Sequence, residues 1–318
     1  MPNTSRQHLA AMVPSVGAPF VIEPRSTPTP GPNEVLIEVK SVAVNPLDYF
    51  QRYTGFHIDV FPAIIGSDVG GTIIEVGSSV SLELKPGTRV SAFAPTFLLN
   101  GSPNYGAFQE RVLVPDHFVT PLPNGRVSFN EASILPMALL TAWTGIVYQL
   151  GIPTSTTPYK PSDKQGLLIW SGASSVGTMV IQIAKLLGFT TYVTASKKSN
   201  TLMDDIDKAV KEDGVTVQLA YHTTGDLQDT LKVLQRVKGN GIAKVASAPA
   251  LTEESPKTND IEIGFVAPTS SGPKFDEVID FVFRVWLKER LERAEFSPSP
   301  RVQVIGKGLG SLQLALEE

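Results

Sequence analysis

Residues 167–200 read LLIWSGASSVGTMVIQIAKLLGFTTYVTASKKSN. LLIW (167–170) is a short, wholly apolar run, and SGASSVG (171–177) is a glycine and serine turn. TMVIQIAKLLG (178–188) has the spacing of an apolar-faced helix closed by Gly188, and TTYVTAS (190–196) is a second β-rich run. Strand, glycine turn, helix and strand in that order make the βαβ unit of a parallel sheet.

Downstream, VTVQLAYHTTG (215–225), GIAKVASAP (241–249) and IEIGFVA (261–267) read as strands, with LQDTLKVLQRV (227–237) as a helix among them. FDEVIDFVFRVWLKERLERA (275–294) is an amphipathic helix. Upstream, TSTTPYKPSDKQG (154–166) is a polar loop, and residues 130–152 carry apolar residues at helical spacing with Asn130 as the cap. Residues 1–125 have another texture: EVLIEVKSVAV (34–44), GGTIIEVG (70–77), TRVSAF (88–93) and GAFQERVLVP (106–115) read as strands between Gly/Pro turns. The expectation is an α/β chain in three stretches. Residues 1–125 form a β-rich catalytic domain, 126–270 a Rossmann-like nucleotide-binding domain, and 271–318 a return segment that packs on the first.

The composition narrows the function. With 318 residues, 42% hydrophobic and 18% charged, the chain is long enough for two cores. A net charge of −4 and a pI near 5.7 give no electrostatic reason to expect nucleic acid or an acidic membrane as partner. There is no cysteine, hence no disulfide and no thiolate metal site. The first twenty residues lack a basic region followed by an apolar run, and no apolar segment reaches the roughly 18 residues of a membrane span. The expected location is cytoplasmic.

Dinucleotide turns use G-x-G-x-x-G so that backbone amides at a helix N-terminus approach a pyrophosphate. Here the turn is Gly172-Ala173-Ser174-Ser175-Val176-Gly177. Ser174 replaces the middle glycine, and its hydroxyl can itself bond phosphate. Gly172, Ser174, Ser175, Val176 and Gly177 are therefore candidate cofactor residues, and a tight turn that only packs a helix on a sheet is the alternative. NAD-binding versions place Asp or Glu about 20 residues further on, for the ribose 2′-hydroxyl. This chain has Ser196, Lys197 and Lys198 there, followed by Asn200. A hydroxyl and ammonium groups attract a 2′-phosphate that a carboxylate would repel, so the cofactor expected is NADPH.

VAVNPLDY (42–49), FPAIIGSDVGGTIIEVGSSV (61–80), KPGTRV (85–90), YGAFQERVLVP (105–115), LPMALLTAW (135–143), WSGASSVG (170–177), FRVWL (283–287) and GLGSLQ (308–313) together carry a family resemblance. The chain resembles the zinc-independent medium-chain dehydrogenases/reductases of the quinone-reductase and enoyl-reductase branch. Within it, the trans-acting enoyl reductases of fungal secondary metabolism are the most similar. The resemblance implies a GroES-like fold for the β-rich domain. Zinc-using members place Cys where Asn45 stands and His-Glu where Ser67-Asp68 stands, so no metal site is expected.

The implied reaction is reduction of an activated C=C bond in an enone, quinone or polyketide enoyl thioester. By resemblance, Asn45 and Asp48 sit by the substrate cleft, Thr141 near the nicotinamide, and Phe265 and Val266 along its pocket. Asp48 could equally bond backbone, and Phe265 could be plain core. Tyr49, Tyr53 and His57, on the loop after the N-P-x-D motif, are candidate proton donors. A polyketide synthase is the implied partner, and a monomer or homodimer the implied state.

Three departures from the family stand out. Phe50 replaces a Lys that many relatives carry two residues after the Asp of N-P-x-D. Thr201 to Gly214 has room for one helix before the next strand, whereas a further strand–helix–strand unit takes about 30 residues. The sheet is therefore expected to be shortened. The chain also ends at Glu318, where relatives continue into a closing strand. These departures keep an alternative open: a non-redox protein on the same scaffold, acting as a synthase accessory partner or a cyclase.

Overall fold

The computed structural model describes residues 6–155, 157–195, 201–267 and 272–317. The chain divides into two compact units: Met1–Met137 with Ile279–Glu318, and Ala138–Val278.

The first unit is built on antiparallel strands. β1 (Gln7–Met12) and β2 (Val21–Ser26) form a hairpin. β2 escapes sequence reading because its side chains are mostly exposed and Pro24 interrupts it. β3 (Glu34–Ala43) is followed by α1 (Pro46–Thr54), β4 (Asp68–Val76), β5 (Arg89–Phe93), β6 (Arg111–Pro115) and β7 (Val119–Pro121). They form a five-stranded sheet in the order β6-β3-β4-β5-β7. The expected strand over 106–115 begins only at Arg111. Before it, Gln109 turns its amide onto the Pro103 and Gly106 carbonyls, a loop arrangement that competes with strand pairing. The aromatic core of this unit stacks Phe93 on Phe283, with centroids 6.3 Å apart, and Thr120 Oγ1 donates to the Phe283 carbonyl at 2.7 Å.

α2 (Phe129–Ser133) is capped by Ser128 rather than by Asn130. Ser128 Oγ accepts from the Glu131 N–H at 3.2 Å while the Glu131 carboxylate accepts from the Ser128 N–H at 2.8 Å, a reciprocal arrangement that Asn130 could not make. α3 (Pro136–Thr144) restarts the helix at a proline, and 145–149 continue as a π-helical turn. Together Phe129–Gln149 make a helical run of 21 residues, long and apolar enough to cross a membrane, which corrects the sequence estimate. Its most apolar window is 78% buried inside the protein, as expected of a core helix.

The second unit holds the βαβ pattern of residues 167–200. β8 (Gln165–Trp170), α4 (Ser175–Leu186), β9 (Thr190–Val193), α5 (Leu202–Asp213), β10 (Thr216–His222), α6 (Leu227–Val237), β11 (Ala243–Ser247) and β12 (Ile261–Phe265) follow in order. Every pairing is parallel, and the strand order is β12-β11-β10-β8-β9. β9 stops at Val193, short of the expected Ser196. As the count of residues requires, 201–214 holds one helix, so among the described residues β9 is an edge strand. Tyr192 on β9 donates to Asp213 at the end of α5, at 2.8 Å. Leu168, Val210, Val217, Leu234 and Val245 share the core where α5 and α6 cover the sheet. Burying each such side chain contributes roughly 1.5–3 kcal/mol. α7 (Pro273–Asp280), α8 (Leu287–Glu292) and α9 (Leu312–Glu317) complete the chain. In the first unit, α8 is tied back by Lys288 to Glu83 at 2.6 Å.

Candidate functional site

In the first unit, Asn45 caps α1 between two buried carboxyls. Its backbone N–H donates to Asp48 Oδ2 at 2.7 Å, and its side-chain Nδ2 donates to Asp68 Oδ2 at 3.0 Å. The Met137 N–H donates to Asp68 Oδ1 at 2.8 Å. Asp48 and Asp68 are both buried, and neither has an ion pair among the described residues. Burial, reinforced by the charge of Asp68, pushes the Asp48 carboxyl up to about 8. Burial likewise pushes Asp68 up to about 7, against the two hydrogen bonds that favour its charged form. The structure thus brings Asn45 and Asp48 together as expected and adds Asp68. The sequence marked Asp68 only as a place where a metal ligand is missing. Nothing in the sequence pairs it with a residue 23 positions earlier.

Tyr49 and Tyr53 lie on helix α1, not on the loop expected there, because Asn45, Pro46, Asp48 and a left-handed Gly55 supply start and stop signals. The Tyr53 hydroxyl accepts from Arg52 at 3.2 Å and its ring lies 4.7 Å beneath that guanidinium, which leaves the phenolic hydrogen free to be donated. His57 follows the helix in a left-handed conformation, φ 51°, with its ring against Phe56 and Phe97. Phe50 is exposed.

In the second unit, the turn after β8 begins at Ser171 with φ 62°. Gly172 is required by close approach. A Cβ there would stand 2.2 Å from Val193 Cγ1 and 2.9 Å from Ile181 Cδ1, so the glycine brings α4 down onto β8 and β9. The Ser174 hydroxyl, expected to meet phosphate, is engaged within the fold. It accepts from the Gly177 N–H at 3.0 Å as the cap of α4 and bonds Thr223 Oγ1 at 2.8 Å. The first-turn N–H groups of Ser175 and Val176 have no intrahelical acceptor. With the positive end of a twelve-residue helix, they fit a pyrophosphate. Ser196, Lys197, Lys198 and Asn200 lie outside the described residues.

Thr141 on α3 is half-buried, and the Tyr221 hydroxyl on β10 donates to its carbonyl at 2.7 Å. Gly145 makes room for that ring, since a Cβ there would lie 2.3 Å from the Tyr221 oxygen. Gln149 Nε2 donates to the Phe265 carbonyl at 2.9 Å, and the Val266 N–H donates to the Ser247 carbonyl at 2.8 Å, so Phe265 and Val266 are fixed at the end of β12. Sequence reasoning missed Tyr221 and Gln149, whose roles depend on contacts between distant strands and helices. His222 is buried and bonds Thr230 at 2.8 Å, with burial lowering its pKa.

Among the described residues, no group of three or more His, Asp or Glu could hold a metal ion. A groove of about 820 Å³ in the first unit, lined by Val39–Val44 and 302–309, contains none of the candidate residues.

An antiparallel β-rich unit combined in one chain with a parallel sheet that has a glycine turn at its first crossover defines a nucleotide-dependent oxidoreductase fold. The alcohol dehydrogenase GroES-like domain family matches residues 31–124. The chain is 40% identical to the trans-enoyl reductase tndF of Aspergillus flavipes, over 99% of this chain and 96% of the relative. It is 44% identical to the trans-enoyl reductase tazE of Aspergillus terreus, over 86% and 94%. The solved enoyl reductase CurK superposes with a TM-score of 0.70 at 19% identity, covering 93% of this chain and 91% of that one. The chain belongs to the medium-chain dehydrogenase/reductase family, among the trans-enoyl reductases of secondary metabolism, and is an oxidoreductase that uses a nicotinamide cofactor.

Proposed function

We propose that the protein is an NADPH-dependent ene-reductase acting on an enone or enoyl thioester, with a carrier-bound acyl chain of a polyketide synthase as the favoured substrate form. The observation that carries this reading is the Asn45 amide. One Nδ2 hydrogen is held by Asp68 at 3.0 Å, which leaves the second to donate to a substrate carbonyl oxygen. That donor polarises the alkene and stabilises the enolate oxygen as charge develops on it, the task of an oxyanion donor. A nicotinamide held there would supply hydride to the β-carbon. As the C=C π bond breaks, the α-carbon takes a proton, for which Tyr53, with its hydrogen undirected, and His57 are the nearby donors in sequence. Ser175 and Val176 bind pyrophosphate through backbone N–H groups, and Lys197 and Lys198 select the 2′-phosphate. Similarity to two proteins named trans-enoyl reductases supports the same substrate class.

Titration with NADPH and NADH, followed by thermal denaturation, tests the cofactor. A ligand at 100 times its Kd stabilises by about 2.7 kcal/mol, so NADPH should raise Tm well above the effect of NADH. Lys197→Glu should remove the difference. No shift at millimolar NADPH (about 1 mM) would sink the reading in favour of a non-redox role for the scaffold.

A further inference from the structure

The two carboxyls beside Asn45 are not equivalent, and the difference assigns a proton. Asp68 accepts two hydrogen bonds, one on each oxygen, from Asn45 Nδ2 and the Met137 N–H. Asp48 accepts one, from the Asn45 N–H on Oδ2, and its Oδ1 is buried with no partner. A buried carboxylate oxygen without a donor is costly, whereas a protonated one is itself a donor in search of an acceptor. Unpartnered acceptors, Gln51 Oε1 and the Ser67 hydroxyl oxygen, are close in the chain, and Gln51 Nε2 is an unpartnered donor beside them. Both polar atoms of Gln51, one turn along α1, and the Ser67 hydroxyl, next to Asp68, are buried without a hydrogen bond.

We propose that Asp48 rests as a neutral carboxylic acid beside an ionised Asp68, and that this division of charge fixes the Asn45 amide in its carbonyl-binding orientation. The inference rests on the reading of Asn45 as the group that meets the substrate oxygen. Asp48 and Asp68 act through Asn45 and are positioning residues. Asp68 on β4 is the charged group that acts on Asp48. Arg52, on the same helix, turns its guanidinium to the Ala18 carbonyl at 2.9 Å and the Tyr53 hydroxyl at 3.2 Å instead. α3 contributes the Met137 N–H, and among the described residues no ion pair reaches either carboxyl to compensate a second negative charge. Ionisation of Asp48 would place two carboxylates around one asparagine and set them in competition for its donors. Burial raises the proton affinity of both groups, but two donors oppose that rise at Asp68 and one at Asp48, so Asp48 is the carboxyl that keeps the proton.

Infrared difference spectroscopy of the cofactor-free protein, scanned from about pH 6 to about pH 10, reads the proton directly. A protonated-carboxyl C=O band should persist beyond the titration of Asp68 near 7 and vanish as the pH rises through about 8, and this later component should be missing in Asp48→Asn. In steady-state kinetics, the wild type should lose kcat/KM on the alkaline side. Asp48→Asn, whose amide copies the acceptor-and-donor pattern of the acid, should abolish that fall. Asp68→Asn must turn an NH2 toward one of two donors, and should lower kcat/KM about tenfold or more beyond Asp48→Asn. If Asp68→Asn does not fold, the infrared comparison of wild type with Asp48→Asn still decides. Absence of a component that titrates near 8, or its survival in Asp48→Asn, overturns the proposal. Because the infrared reading needs no turnover, a band in a protein that reduces nothing would count against the reductase reading alone.

Discussion

At the scale of single residues, Asn45 offers a neutral hydrogen-bond donor held between two buried carboxyls. Asn45→Ala removes both the carbonyl donor and the partner of Asp68 Oδ2. Loss of an oxyanion donor typically costs about 10²–10³ in rate. An orphaned buried oxygen costs about 1–3 kcal/mol. Steady-state kinetics and thermal denaturation should show both losses together. The carboxyls behind it predict a pH dependence of stability. The folded protein holds the Asp48 proton up to about 8, while the unfolded chain releases it near 3.8. Between those values the unfolded state binds fewer protons, so stability falls as pH rises and the loss is complete above the folded pKa. Asp68 adds a similar loss that ends near 7. The slope is at most about 1.4 kcal/mol per pH unit for each carboxyl. Tm measured across this window should therefore fall, and less steeply in Asp48→Asn.

At the scale of elements, the glycine turn is a packing device and, on the function proposed, a binding device as well. Gly172→Ala drives a methyl into Val193 and Ile181 and should cost about 1–3 kcal/mol by overpacking, with weaker NADPH binding seen in the same titration. Ser174→Ala removes the cap of α4 and should cost about 1 kcal/mol. Its effect on cofactor affinity should be smaller than that of Gly172→Ala, because the hydroxyl already faces Gly177 and Thr223. Elements with a local signature were legible in sequence: β3, β8, α4 and α6 announce themselves by alternation, apolar runs or 3.6-residue spacing. The rest depended on partners the chain does not advertise. β2 is a strand because β1 pairs with it, despite Pro24 and an exposed face. α1 carries start and stop signals in Asn45, Pro46, Asp48 and Gly55, which outweigh the loop tendency of an N-P-x-D motif. Asp68, Tyr221 and Gln149 gain their roles from elements brought together only by folding.

At the scale of the whole molecule, arithmetic on 14 residues from Thr201 to Gly214 was enough to foresee a helix without a further strand. The sheet that results, β12-β11-β10-β8-β9, keeps β8 beside β10. The turn carrying Ser175 and Val176 follows β8 and is braced by Thr223 just beyond β10. The shortened sheet thus preserves the crossover on which a dinucleotide site depends. Hydride transfer to an activated alkene is read out with NADPH carrying deuterium on the nicotinamide and a panel of enoyl thioesters, enones and quinones. Oxidation of the cofactor is expected, together with a saturated thioester that carries deuterium on its β-carbon. Tight NADPH binding without oxidation by any member of the panel would contradict it.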